Sequence, residues 1–404
     1  MPPDASGASA AARHTALRPL IVLLSLGAFG SAASMRVADA QLPLLASVFD
    51  TNLAGAAQVI TVFSIAYGVL QLAYGPIADR SGKWRVISLA MVLAAVASAA
   101  CAAAPGFSML LLARAAAGAA CAAIIPLAMA WIGDAVPYDR RQPVLARFLT
   151  GQILGMALGQ LAGGVAADLD LWRLPFALLA AWFMLTAALL WRYRRIALAV
   201  APLAPSTGEA PWRTMAYVLA QPWARVVLLI VFLEATVLFG PLAFLATHLH
   251  LAYDVSLSAS GSIATFYAVG GMTFALGSRR LLGRLGEAGL ARTGGLLLAA
   301  GLAAVALSSV WWTAPLACAV AGLGFYMLHN TLQTNATQMA PRARGAAVSM
   351  FAACFFLGQT VGVAVVSLLV EAIGTAIVIA AGGVTVAAVG IGFAARLRRR
   401  PAES

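Results

Sequence analysis

Long apolar stretches alternate with short polar joints along most of this 404-residue chain. A helix that crosses a membrane needs about 20 predominantly apolar residues. Twelve stretches reach this length, and the joints between them carry turn residues such as Ala314-Pro315 and Ala340-Pro341. The runs are too long for the strands of a membrane barrel and lack their period-two alternation, so we predict an all-α membrane protein. The predicted spans are 18–47, 54–77, 84–104, 107–133, 145–167, 172–192, 223–249, 258–279, 290–310, 314–339, 345–370 and 373–394.

The composition supports this prediction and argues against a soluble enzyme. Hydrophobic residues make up 62% of the chain and charged residues only 10%, whereas soluble proteins carry about 25% charged residues. The apolar run after Arg18 is longer than the apolar region of a signal peptide, so we predict that it forms the first span.

A proline-rich polar stretch divides the predicted spans into two sets of six. Residues 194–222 contain Pro202, Pro205, Pro211 and Pro222. We predict an N-terminal tail, a six-helix bundle, a linker, a second six-helix bundle and a C-terminal tail, with bounds 1–17, 18–193, 194–222, 223–394 and 395–404.

The two sets of spans also share short sequence patterns. Leu-Gly-Gln followed three residues later by Gly begins at Leu158 and again at Leu357, and Arg-x-Gly begins at Arg80 and at Arg284. Each pattern recurs after about 200 residues, close to half of the chain. The spacing predicts one internal duplication and therefore two pseudo-symmetric bundles.

Positive charge is concentrated in the joints. If both termini are cytoplasmic, 23 of the 26 Lys and Arg residues lie on the cytoplasmic side, Arg173 lies outside, and Arg36 and Arg114 lie within spans. Cytoplasmic loops of membrane proteins are rich in Lys and Arg, so we predict that both termini and the linker face the cytoplasm. The basic clusters suit contact with membrane lipids, and they form no stripe interleaved with aromatic residues of the kind that binds nucleic acid.

The sequence offers no support for a cofactor, a metal site or catalysis. The four cysteines lie inside apolar stretches without metal-ligand spacing; they are Cys101, Cys121, Cys318 and Cys354. The chain contains no His-Glu-x-x-His, no Gly-x-Ser-x-Gly and no Gly-x-x-x-x-Gly-Lys-Ser/Thr pattern. An intramembrane enzyme is therefore the disfavoured alternative from another functional class.

One joint carries a recognisable combination of residues. The loop after the second span reads Gly-Pro-Ile-Ala-Asp-Arg-Ser-Gly-Lys-Trp-Arg from Gly75 to Arg85. It resembles the signature loop of the major facilitator superfamily, although an ordinary positive-inside turn is the alternative. The resemblance implies a cytoplasmic gate in which Asp79 lies near helix ends that begin after Arg140, Arg141 or Arg342. The gate residues would be Gly75, Asp79, Arg80, Gly82, Lys83 and Arg85.

Two further motifs resemble the same family. Arg114-Ala-Ala-Ala-Gly118 in the fourth span looks like the family's arginine motif. The stretch from Gly155 to Gly164 is similar to its antiporter glycine motif, with Gln160 where that motif has proline. The resemblance implies two bundles that rock around a central site lined by the first, fourth, seventh and tenth helices. Bacterial drug-efflux and sugar-efflux proteins are the most similar branches.

Glycines recur at four-residue spacing in the fifth span. Small residues at this spacing allow two membrane helices to approach closely. We predict a role in packing, at the interface between the two bundles, for Gly151, Gly155, Gly159, Gly163 and Gly164.

Four charged residues lie at membrane depth, and all are on predicted cavity helices: Arg36, Asp39, Arg114 and Glu234. Such charges are costly, so each is a functional candidate. Asp39 follows Arg36 by three residues, so the two can pair on one helix face, in a cavity or at the outer membrane surface. Arg114 could bind an anionic substrate, pair with Asp39 or Glu234, or serve as a structural clamp.

Glu234 lies near the membrane midplane, about 14 Å along the helix from Arg225. A carboxyl group that is removed from water favours its uncharged form, which is the property that proton coupling requires. We predict that Glu234 couples transport to protons, with Asp39 as the second candidate; a purely structural Glu is the alternative.

The tenth span carries a polar face. Its residues follow at helical spacing and predict one wall of a wet cavity: Tyr326, His329, Asn330, Gln333 and Thr337. His329 either titrates during coupling or serves as a hydrogen-bonding residue.

Together these features predict a monomeric, proton-driven exporter of a small organic solute in the bacterial cytoplasmic membrane. Its partners would be the solute, protons and lipids. An importer or a uniporter with the same fold is the alternative.

Overall fold

The computed structural model describes residues 5–201 and 211–399, with their side chains except those of residues 5–16, 138–143, 146 and 211. We refer to residues 5–201 as the N-terminal half and to residues 211–399 as the C-terminal half. The helices are α1 Ala5–Arg36, α2 Leu42–Val48, α3 Leu53–Ser81, α4 Lys83–Ala102, α5 Phe107–Cys121, α6 Ile124–Ala135, α7 Tyr138–Asp168, α8 Leu174–Arg192, α9 Arg194–Val200, α10 Pro211–Ala220, α11 Pro222–Ala243, α12 Leu245–Tyr253, α13 Leu257–Leu307, α14 Ala314–Gln338, α15 Arg344–Ile373 and α16 Thr375–Arg399.

The described chain is all helical, as predicted, and eleven of its helical segments are long and apolar enough to cross a membrane. Twelve spans were predicted. The count differs because one continuous 51-residue segment, α13, covers the predicted spans 258–279 and 290–310. Gly286, with φ 63° and ψ 176°, interrupts the helical backbone inside it.

Three of the predicted spans contain a break in the helix. The first span breaks between Arg36 and Leu42, the fourth between α5 and α6, and the seventh at Phe244 between α11 and α12. Pro43 and Pro126 follow the first two breaks closely. Proline donates no backbone hydrogen bond and collides with the carbonyl four residues before it, which explains why the helix does not continue there.

The helix ends define two sides of the molecule. On the linker side, Lys83 pairs with Asp134, and the Trp84 indole donates to the carbonyl of Leu190. On the far side, Arg173 donates to the carbonyl of Ala104 at 3.0 Å. The largest buried hydrophobic clusters lie mainly one in each half, and the halves meet along α3 with α15 and α7 with α13.

The glycine series of α7 packs mostly within one half. A side chain at Gly151, Gly155 or Gly159 would collide with the backbone of α1, and one at Gly163 with the backbone of Val37 just after α1. Gly164 instead faces the backbone of Leu257 in the C-terminal half. The predicted location between the halves is therefore wrong for the first four glycines, because their close partner is the first span of the same half.

Candidate functional site

A cavity lies between the two halves. It is bounded by α1 and α7 on one side and by α11, α12, α13 and α14 on the other. Of the described residues that line it, Arg36 alone carries a formal charge at neutral pH. The lining residues with polar side chains are Arg36, Gln160, Thr265, Tyr267 and Tyr326.

Arg36 and Asp39 form an ion pair at the break in the first span. The Nη1 atom of Arg36 donates to Oδ2 of Asp39 at 2.9 Å. Both side chains are buried, and the guanidinium lies 4.9 Å from the ring centroid of Phe239 in the C-terminal half. The pair therefore lies inside the protein, at the boundary between the halves.

Glu234 and His329 form a second pair within the C-terminal half, one helical turn from Tyr326, which lines the cavity. Nδ1 of His329 on α14 lies 2.9 Å from Oε2 of Glu234 on α11. The other carboxyl oxygen, Oε1, is buried without a hydrogen-bond partner in the described part of the chain. The His329 ring stacks on Phe325 at 4.8 Å and lies 4.9 Å from Phe355. Among the described residues, Glu234 thus has one hydrogen-bonding partner, and that partner lies among aromatic rings.

Arg114 is fully buried, and its contacts are with backbone carbonyls and an aromatic ring. Its Nε donates to the carbonyl of Val59 at 3.1 Å and its Nη1 to the carbonyl of Ser34 at 3.0 Å. Its guanidinium also lies 4.3 Å from the ring centroid of Phe63. Within the described ranges it forms no ion pair with Asp39 or Glu234. This geometry matches the structural alternative, in which Arg114 ties α5 to α1 and α3.

The polar face of α14 becomes more exposed toward the linker side. Tyr326 and His329 are half-buried, whereas Asn330, Gln333 and Thr337 are exposed. The exposure pattern is that of a wall whose far-side end is covered and whose linker-side end is open.

The far side is held closed by two carboxylates, each on the N-terminus of a helix in the other half. Asp168, at the end of α7, accepts hydrogen bonds from the backbone N–H groups of Leu257 at 2.7 Å and Ser258 at 2.8 Å. Glu371, near the end of α15, accepts from Nδ2 of Asn52 at 2.9 Å and from the backbone N–H of Ala54 at 3.3 Å. We call these contacts the far-side latches.

The loop from Gly75 to Arg85 lies on the linker side. Gly82 joins α3 to α4 with φ 88°, a conformation that glycine adopts readily, and Asp79 is exposed. The side chains of Arg140 and Arg141, two predicted neighbours of Asp79, lie outside the described residues. In the described part of the chain, no contact joins Asp79 to Arg342.

The comparisons with known proteins identify the family. The family model described as the Major Facilitator Superfamily matches residues 24–357. The chain belongs to this superfamily. A similar relative is YceJ of Bacillus subtilis (strain 168), an uncharacterized MFS-type transporter, which is 26% identical over 334 residues and covers 82% of this chain and 84% of that protein. YwfA of the same organism, also an uncharacterized MFS-type transporter, is 24% identical over 369 residues, or 89% of this chain and 87% of that protein.

Solved superfamily members share the fold. A bacterial homolog of the human lysosomal transporter Spinster, in an inward-facing and occupied conformation, gives a TM-score of 0.74 at 19% identity, covering 95% of this chain and 98% of that one. The nucleoside transporter NupG gives 0.72 at 14% identity, covering 95% of this chain and 99% of that one. This multi-pass membrane protein is therefore a secondary transporter by family, with the fold of these structures.

Sequence reasoning missed several polar residues that the fold brings to the cavity or to the contact between the halves. Tyr267 is buried on α13, and its hydroxyl has no partner among the described residues. In the sequence, Gln160 was noted only because it replaces the proline of the glycine motif, yet it lines the cavity. Gln359 donates to Ser64 across the halves at 3.2 Å. Polarity inside an apolar run was the available signal for all of them.

Proposed function

We propose that this protein exports a small organic solute by alternating access and that protons moving the other way drive the export. The observation that carries the proposal is the buried contact between Glu234 and His329, one helical turn from Tyr326, which lines the cavity between the halves. A carboxyl group in this setting gains or loses a proton as the site changes the side it faces.

The two members of the pair have different access to solvent. The side chain of His329 is 17% exposed, whereas that of Glu234 is 0% exposed. A proton therefore reaches Glu234 through the imidazole ring. Histidine suits this relay because its two ring nitrogens can pass a proton from one partner to another.

The proposal includes the membrane topology. The segment α13 is about 77 Å long if continuous, far more than the roughly 30 Å hydrocarbon core, so it serves as two spans that meet at Gly286. Twelve spans in bundles 18–193 and 223–394 result. The basic residues favour the cytoplasm for the linker side and for both termini, in a bacterial inner membrane.

The arrangement of contacts supports alternating access. The latches and the contact of Gly164 with Leu257 join the halves on the far side. The polar face of α14 and the exposed Asp79 lie toward the linker side. This is a state open to the cytoplasm, and the opposite state would close the loop from Gly75 to Arg85 against the C-terminal half.

Transport by the purified protein in proteoliposomes tests the proposed function. A thermal-shift screen against metabolites and antibiotics first identifies a stabilising compound, and its flux is then measured under imposed pH gradients. We expect accumulation only while a gradient exists, with compound and protons moving in opposite directions. Accumulation in the same direction as protons would instead show import, and flux unaffected by a proton ionophore would show a uniporter.

The far-side latches are expected to stabilise the state open to the linker side. We predict that Asp168→Asn and Glu371→Gln each shift the equilibrium toward far-side opening by roughly two- to tenfold, since a net hydrogen bond contributes about 0.5–1.5 kcal/mol. The double variant should shift it further. Distances between spin labels at Leu171→Cys and Ala252→Cys, in a background without the native cysteines, measure the two populations.

Asp170→Asn is the matched control for the latches. Asp170 is exposed on the far side, two residues after Asp168, and in the described part of the chain its side chain takes no part in a latch. It should leave the distance distribution unchanged. A double latch variant with the wild-type distribution would show that the latches do not hold the far side closed.

A further inference from the structure

A second cavity lies at the linker-side end of α8, away from the candidate transport site. It is lined by Ala188, Trp191, Arg192, Arg194 and Arg195. Because α8 ends at Arg192 and α9 begins at Arg194, the three arginines occupy one turn between two helices. None of these described lining residues is acidic, so the cavity presents three positive charges.

The turn that carries the arginines is anchored to the N-terminal half. Ala197 and Val200 of α9 are buried in its hydrophobic core, and Tyr193 packs against the same core. Arg194 donates from Nη1 to the carbonyl of Trp191 at 3.2 Å, and its guanidinium lies 4.5 Å from the Trp191 ring centroid. The backbone of the turn is therefore anchored, and the guanidinium of Arg194 is held beside Trp191.

The position of the turn indicates what kind of anion it meets. The helix α8 is one of the membrane-crossing segments, so its end at Arg192 lies near the membrane surface. Trp191 is 61% exposed there, and tryptophan is enriched at this depth of the bilayer. Phospholipid phosphate groups occupy the same level.

Exposed apolar residues continue from the cavity along α8. Leu185 is 59% exposed and Leu178 is 58% exposed. They precede Arg192 by about two and four helical turns, so they lie on the same helix face. An acyl chain attached to a headgroup in the cavity would follow this face into the hydrocarbon core.

We propose that this cavity binds the phosphate group of an anionic phospholipid in the linker-side leaflet. Guanidinium groups bind phosphate through paired hydrogen bonds, and three of them favour a lipid whose net charge is negative. The ammonium group of a zwitterionic lipid would be repelled. Free inorganic phosphate offers the same phosphate chemistry but has no acyl chain to contact Leu185 and Leu178.

Native mass spectrometry of the full-length protein tests the site. The protein is released from detergent with phosphatidylglycerol, phosphatidylethanolamine or inorganic phosphate at matched concentrations. We expect retention of one phosphatidylglycerol in preference to the other two probes. Replacing Arg192, Arg194 and Arg195 together by Gln should weaken this retention about a hundredfold, because each basic residue contributes appreciably to binding an anionic surface.

Two matched variants separate a discrete site from general attraction. Replacing Arg396, Arg398 and Arg399 by Gln removes the same charge from the linker-side end of α16 and should leave retention unchanged. Replacing the three cavity arginines by Lys should restore part of it. Thermal unfolding in detergent verifies that each variant is folded. Equal losses from both Gln variants, retention of phosphatidylethanolamine as strong as that of phosphatidylglycerol, or full competition by inorganic phosphate would overturn the proposal.

Discussion

Replacing Gly322 by leucine is expected to abolish the folded protein. A Cβ atom at this position of α14 would collide with the backbone carbonyl of Tyr267 on α13. The contact is reciprocal, because a Cβ at Gly270 of α13 would collide with the backbone of Ala319 and Leu323. Backbone cannot move aside as a flexible side chain can, so the two helices must separate. Overpacking costs typically 1–3 kcal/mol and here should exceed about 3 kcal/mol.

Gly392→Leu is the matched control for this effect. Gly392 is also within a helix, α16, but an added Cβ meets no atom within 4 Å. The control should purify as a single species with an unfolding temperature near that of wild type, whereas Gly322→Leu should aggregate or melt far lower. Size-exclusion chromatography and thermal unfolding measure both. A Gly322→Leu protein that is as stable as the control would show that the two helices are not held in this close contact.

Glu234→Gln is expected to abolish transport driven by a pH gradient. Glutamine keeps the size of the side chain and can still hydrogen-bond to His329, but it cannot exchange a proton. Substrate binding and counterflow exchange should survive, because neither requires the carboxyl to change charge. Flux into proteoliposomes, with and without an imposed gradient, separates these activities.

The same measurements on other variants locate the coupling group. Glu287→Gln is the control, since Glu287 is exposed and accepts a hydrogen bond from Asn335 that a Gln oxygen can also accept. His329→Gln should impair coupling without adding to the effect of Glu234→Gln, as residues acting as one unit do. If Glu234→Gln matches wild type while Asp39→Asn abolishes transport, coupling belongs to the first span. If both variants remain gradient-driven, the proton-antiport proposal is wrong.

The sequence by itself determined the features that depend on local pattern. Apolar runs of sufficient length predicted an all-helical membrane protein, and the loop from Gly75 to Arg85 predicted the superfamily that the family model confirms. The spacing of Arg36 and Asp39 predicted their contact, which the structure retains although the helix breaks directly after Arg36. Each prediction used residues close together in the chain.

The tertiary structure alone decided which distant residues meet. Glu234 and His329 are 95 positions apart, and only the packing of α11 against α14 joins them. The spacing of the α7 glycines predicted the close approach of another backbone but did not identify it; the first span is the partner of the first four glycines, and Leu257 is the partner of Gly164. Asp168 and Glu371 lie in joints between predicted spans, and each contacts the other half only because the far-side ends of the two halves converge. A sequence pattern records periodicity along one element, whereas these contacts depend on how whole helices are placed against each other.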